Sequence, residues 1–170
     1  MRWQLSHRFD PRALPLADRH YSRRKPGSPQ FVPPGRCFVL LTPVADALWV
    51  TSWPFADYVR HRWGGAWVCS LFRNEGPALS SDLVREACAA TVAHWGPPPP
   101  LGMVTFVDRR KVRAKRHFGL CFRAAGFEED GYTQKDRLLA LRLTPESFPA
   151  PVPCIGEHGE LPGLRTPRAR

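Results

Sequence analysis

Acidic residues are scarce in this chain: 15 Asp and Glu stand against 25 Lys and Arg, leaving a net charge of +10. The imbalance argues against a cationic partner and favours a polyanion, because cations that neutralise phosphates release condensed counterions. The bland alternative is a basic protein from a GC-rich genome, whose codons favour Arg, Ala, Gly and Pro. No apolar run approaches the roughly 18 residues of a membrane span, and the N-terminus holds no apolar stretch like a secretory signal. A membrane partner is therefore not expected, and a cytoplasmic protein is. CxxC pairs are missing, and the five cysteines (Cys37, Cys69, Cys88, Cys121, Cys154) are odd in number and widely spaced. That argues against a disulfide framework or a zinc ribbon, so the cysteines are expected reduced and mostly buried. No internal repeat is visible.

What is present suits one globular domain. The chain has 170 residues, of which 43% are hydrophobic and 11% aromatic, enough to bury a core without help. Residues 1–35 form an arm rich in Pro, Arg and Ser, with a short helix expected between Pro11 and Tyr21, capped by Asp10. Two apolar runs, 37–42 and 47–53, read as an antiparallel hairpin, and 66–72 as a third strand. Ser80 or Ser81 is the expected cap of a helix over 82–95 that buries Val84, Ala87, Cys88, Thr91 and Trp95; Gly96 and four prolines end it. A strand over 102–107 leads to Asp108, a helix over 115–125 ends at Gly126, and a last strand spans 137–143. The central strand, helix and strand require a parallel pairing. The fold class is thus α/β (α+β), a single domain with a core over 36–145 and a loosely ordered Pro- and Arg-rich tail over 146–170.

Two motifs carry a resemblance over roughly residues 36–143. Phe118-Gly-Leu-Cys-Phe-Arg-Ala-Ala-Gly-Phe127 resembles the helix closing on Gly-Phe of the GNAT acyltransferases, and Arg73-Asn-Glu-Gly-Pro-Ala78 is similar to their R-x-x-G-x-A phosphate loop. The resemblance implies a GNAT-like domain with a central mixed, twisted sheet, helices on both faces, and an acyl-CoA-type donor whose pyrophosphate sits at a helix N-terminus. Phe122 stands where the family places a proton-donating Tyr, and Lys115 where it places Asn, which counts against ordinary acetyl-CoA chemistry. A narrower set, His20-Tyr-Ser22, Phe72-Arg-Asn-Glu75 with Ser80-Ser81, and Thr105-Phe-Val-Asp108 before a basic stretch, resembles phage Mom-type DNA-modification proteins. That implies transfer to adenine in phage or prophage DNA, protecting it from restriction.

The candidate residues follow. His20, Tyr21 and Asp108 are the expected catalytic groups, the first two handling protons and Asp108 orienting or deprotonating an amine. His20, Tyr21 and Asp108 are also candidate metal ligands, with no spacing that makes a metal site. Arg73, Asn74, Gly76, Ser80 and Ser81 are the expected donor-binding set. Arg23, Arg24, Arg109, Arg110, Lys111, Arg113, Lys115 and Arg116 are expected to contact DNA, or RNA, through phosphates. Six cations fall within residues 109–116 without one acid. Trp67 and Trp95 suit the core, whereas Trp53 and Trp63 border loops and are candidate platforms for an extruded base. The rival expectations are acetylation of a small amine or a protein, and a nucleic-acid binder without catalysis.

Overall fold

The computed structural model describes residues 1–54, 59, 61–111 and 118–156. Seven strands form one mixed sheet: β1 (Gln4–Ser6), β2 (Arg36–Leu41), β3 (Ala47–Trp53), β4 (Trp67–Asn74), β5 (Met103–Val107), β6 (Glu128–Tyr132) and β7 (Leu139–Leu143). Their spatial order is β1-β2-β3-β4-β5-β7-β6. Only the β4/β5 pair is parallel, spanned by the helix α2 (Ser80–Trp95); the other neighbours are antiparallel. Two shorter helices, α1 (Leu14–Asp18) and α3 (Leu120–Ala124), complete the described elements, with a 3-10 turn at Pro145–Ser147. Among the described residues no helix is long and apolar enough to cross a membrane.

Strand alternation sorts the apolar side chains into two layers. In β2 and β3, Phe38, Leu40, Ala47 and Trp49 pack with Leu83, Val84, Ala87 and Cys88 of α2, while Val39, Leu41, Leu48 and Val50 pack with Leu16 and Ala17 of α1 and with Phe31 and Val32. Because both faces of the central strands are covered, β3 is buried along almost its whole length. The phase changes in β4. Register with β3 skips Ser70, pairing Val50 with Leu71 and Thr51 with Cys69. Trp67 and Cys69 before this bulge and Phe72 after it face α2, whereas Leu71 faces α1.

Several expectations are corrected. Strands β1 and β6 lie in segments read as arm and turn: β1 is held by the neighbouring β2 edge and β6 by β7, so pairing and not local propensity makes them strands. Helix α1 is five residues long, and Asp10, instead of capping it, accepts from the Arg12 backbone and guanidinium and from Ser6. Helix α2 is capped at Leu79 without a side-chain bond, because Ser80 and Ser81 already belong to its first turn and Ser80 Oγ accepts from Asn74. The second amphipathic helix, expected over 115–125, starts only at Leu120, because Phe118 and Gly119 form a turn with Gly119 at φ 66°; residues 112–117 lie outside the described residues. The tail to residue 156 is anchored, with Ile155 exchanging backbone bonds with Trp3 and Leu5 and with Cys154 buried. Residues 157–170 lie outside the described set. Of the five cysteines, Cys69, Cys88 and Cys154 are buried and Cys37 and Cys121 partly so.

Candidate active site

The parallel strands stay together for only three registered pairs, Trp67 with Met103, Val68 with Val104 and Cys69 with Thr105. Beyond them β4 continues along β3 to Asn74 and β5 along β7 to Val107. The bulge at Ser70 turns β4 at the point where the strands part. Between them lies a cavity of about 780 Å³, closed by residues 118–122 on one side and by residues 19–22 of the arm on another. Its walls mix apolar rings (Phe72, Phe106, Phe118, Phe122) with the hydroxyls of Ser70, Ser80 and Thr105.

His20 and Tyr21 both line this cavity, their rings stacked with centroids 4.4 Å apart. Burial, with the Arg73 charge nearby, pushes the His20 imidazole down to about 4, so it is uncharged at neutral pH. Its Nδ1 is 2.8 Å from Ser22 Oγ. The Tyr21 hydroxyl donates to the Phe106 carbonyl at the end of β5, 3.3 Å away, and burial raises its pKa against a bond from the Asp108 backbone N–H. Cys121, half-buried in the same wall, is held as a thiol by burial. Lys111 is the described member of the basic run that lines the cavity. In the sequence Cys121 stands out only through its place in the 118–127 motif, and the Ser70 bulge carries no motif.

No protein-family model matches this chain, and no curated protein or solved structure matches it either.

The arm is tied to the end of β4 by one carboxylate. Glu75 accepts from Arg19 Nε and Nη2 (2.8 and 2.6 Å) and from Arg73 Nε (2.6 Å), and Arg73 Nη1 donates to the Arg19 carbonyl. The two guanidiniums hold the Glu75 carboxyl down to about 2. Asn74 braces the same loop, donating to the Ala78 carbonyl and Ser80 Oγ while its Oδ1 accepts the Gly76 N–H.

This loop does not fit the pyrophosphate of an acyl-CoA. The Gly76 N–H is already taken by Asn74, the Glu75 N–H by the Asp46 carbonyl, and Pro77 has none. The Asp46 carboxylate lies so close that a Cβ at Gly76 would stand 2.1 Å from its Oδ2. Two carboxylates therefore occupy the space where the donor anion was expected, and Ser81 is buried in the first turn of α2. Of the expected donor-binding set, Arg73, Asn74 and Ser80 line the cavity and Gly76 and Ser81 do not.

Asp108 is also placed elsewhere. It is buried at the tip of β5, its carboxylate accepting from the Arg110 backbone (3.0 Å) and from Arg110 Nε and Nη2 (2.9 and 3.0 Å), which lowers its pKa. It faces a second depression of about 330 Å³ bounded by Arg109, Arg110, Phe118, Asp136 and Arg137. The expected phosphate contacts divide similarly. Arg23 is nearly enclosed and braces the arm through Asp18 and the carbonyls of Ser28 and Gln30. Arg24 is exposed; Arg113, Lys115 and Arg116 lie outside the described residues. Trp63 is buried and donates to Asp130, while Trp53 packs on Trp67 and Trp95, so neither stands free as a base platform. Among the described residues no group of three or more His, Cys, Asp or Glu could hold a metal ion.

Proposed function

We propose that this chain is a GNAT-like transferase that modifies a nucleobase amine, adenine in phage or prophage DNA, at the cavity between β4 and β5. The observation that carries this reading is the parting of the two parallel strands, with an uncharged imidazole and a phenol from the arm set at its rim. The order of β4, loop, α2, β5, a helix closing at Gly126-Phe127, and β7 supports the GNAT-like likeness. The loop's paired N–H groups and carboxylates count against acyl-CoA as the donor, and so against the acetyltransferase alternative.

His20 serves as the base for the amine proton. Nδ1 accepts from the Ser22 backbone N–H and lies 2.8 Å from Ser22 Oγ, so the neutral ring carries its proton on Nε2 and receives the amine proton at Nδ1 through the Ser22 hydroxyl. An imidazole at about 4 is a weak base on its own; an anion neutralising Arg73 on binding removes the smaller, electrostatic part of that depression. Tyr21, whose hydroxyl stays protonated at neutral pH, turns its O–H from the Phe106 carbonyl to the donor's leaving group. It gives that group a proton as the bond from the amine nitrogen to the transferred carbon forms and the donor's bond to that carbon breaks, in the cavity where Phe122 has no proton to give. Asp108, locked to Arg110, shapes the turn after β5 and takes no proton.

Coexpression with a plasmid, followed by digestion to nucleosides and mass spectrometry, tests this. A mass-shifted deoxyadenosine is expected from the wild-type chain, reduced about a hundredfold or more by His20→Ala. Unmodified DNA together with transfer to a small amine by the purified protein overturns the reading.

A further inference from the structure

Tyr132, at the end of β6, lies under two guanidiniums. Arg109 Cζ is 5.8 Å from its ring centroid and Arg137 Cζ 5.3 Å; Arg109 also sits 4.9 Å from the Phe118 centroid and donates to the Tyr132 hydroxyl. Among the described residues neither Arg109 nor Arg137 forms an ion pair, unlike Arg110 on Asp108 and Arg123 on Glu129. Stacked guanidiniums keep their N–H edges free, which is the arrangement that grips phosphate bidentately. Two like charges on one ring repel unless an anion lies between them.

Arg137 adds a second sign. It has φ 53° in the turn joining β6 to β7, a left-handed conformation that Gly or Asn adopts at least cost. A long cationic side chain held there is a local sacrifice that packing does not explain, since Arg137 is exposed. The depression it borders shares the Phe118 ring with the main cavity, so the two hollows meet at one aromatic wall. Its acids are accounted for: Asp108 is neutralised by Arg110, and Asp136 faces Arg110 as well as Arg109 and Arg137. Glu129, which accepts from the Tyr132 hydroxyl and lies within reach of Arg109's charge, is paired with Arg123.

We propose that this second depression is the phosphate subsite for the nucleotides flanking the reacting one. A single strand runs across Phe118, its backbone on Arg109 and Arg137, with one base turned into the cavity beside Lys111. This rests on the nucleobase reading above and adds the path of the strand. Only an unstacked strand suits it, because the aromatic wall between the hollows offers a ring face to bases and not a groove to a duplex.

The test is fluorescence anisotropy of a labelled 12-nucleotide single-stranded DNA against the full chain, across a salt series. Arg137→Gly removes the cation while relieving the left-handed strain, so its melting temperature should not fall; its affinity should drop about five- to tenfold and its salt slope by about 0.7. Arg109→Ala should behave likewise in binding. Equal affinity and slope in wild type and Arg137→Gly overturn the proposal, as does competition by poly-glutamate as effective as that by unlabelled DNA. Loss of binding in these variants with no modified nucleoside from the wild type keeps the subsite and removes the transferase reading.

Discussion

The His20 imidazole links the candidate site to stability. In the folded chain it protonates near 4, and unfolded near its ordinary 6.5, so the unfolded state binds the extra proton between those values and stability falls as pH drops through that window. Glu75 and Asp10, held down to about 2 by Arg19 with Arg73 and by Arg12, act at lower pH: their contribution is present above about 4.5 and 3.8 and is lost as pH falls towards 2. Thermal melts should therefore decline in two stages on acidification. His20→Gln should flatten the stage between pH 6.5 and 4 and leave the lower one; an unchanged profile would mean the imidazole is not desolvated. Sequence alone singled out His20 and Tyr21, because clustered proton-handling groups in the arm stand out, and Arg73 through the likeness of its loop to a phosphate-binding motif. It did not show that Asp108 is spent on Arg110 two residues later, since a carboxylate at a strand tip reads the same whether it faces a cavity or its own turn.

Elements were legible where periodicity was strong and hidden where pairing alone makes the structure. The hairpin of β2 and β3, helix α2 and the parallel β4/β5 step follow from apolar alternation and helical spacing. Strand β6, with the sequence Glu-Glu-Asp-Gly-Tyr, has little strand propensity and exists because β7 offers it a partner. Two glycines with positive φ distinguish backbone need from space. At Gly96, which ends α2 with φ 85° and ψ −159°, an added Cβ meets nothing, but this backbone region is essentially confined to Gly, so Gly96→Ala should cost about 1–3 kcal/mol from conformation alone. At Gly102, entering β5 with φ 66°, a Cβ would stand 2.0 Å from the Leu143 carbonyl oxygen. That contact is with the backbone of a paired strand, so Gly102→Ala should cost about 3 kcal/mol or more, measured by denaturant unfolding.

At the scale of the molecule the arm is structural as well as a supplier of site residues. Ala13, Leu16, Ala17, Phe31 and Val32 cover Val39, Leu41, Leu48, Val50 and Leu71 on one sheet face. Deleting residues 1–35 would bare that apolar face and remove β1, so the truncated chain should bind a hydrophobic dye and aggregate while the full chain does neither. Dye fluorescence with light scattering decides it. The arm's Pro- and Arg-rich composition concealed this, because five dispersed apolar side chains make no periodic pattern.

The brevity of the β4/β5 pairing has a consequence for ligand response. Three registered pairs splice the β1–β4 portion of the sheet to the β5–β7–β6 portion, and the space past the splice is bounded by both. A molecule lodged there becomes a wedge that touches each portion, so its binding energy adds to their mutual grip. At a concentration a hundredfold above Kd it would contribute about 2.7 kcal/mol, and amide protons on either side of the splice would slow together.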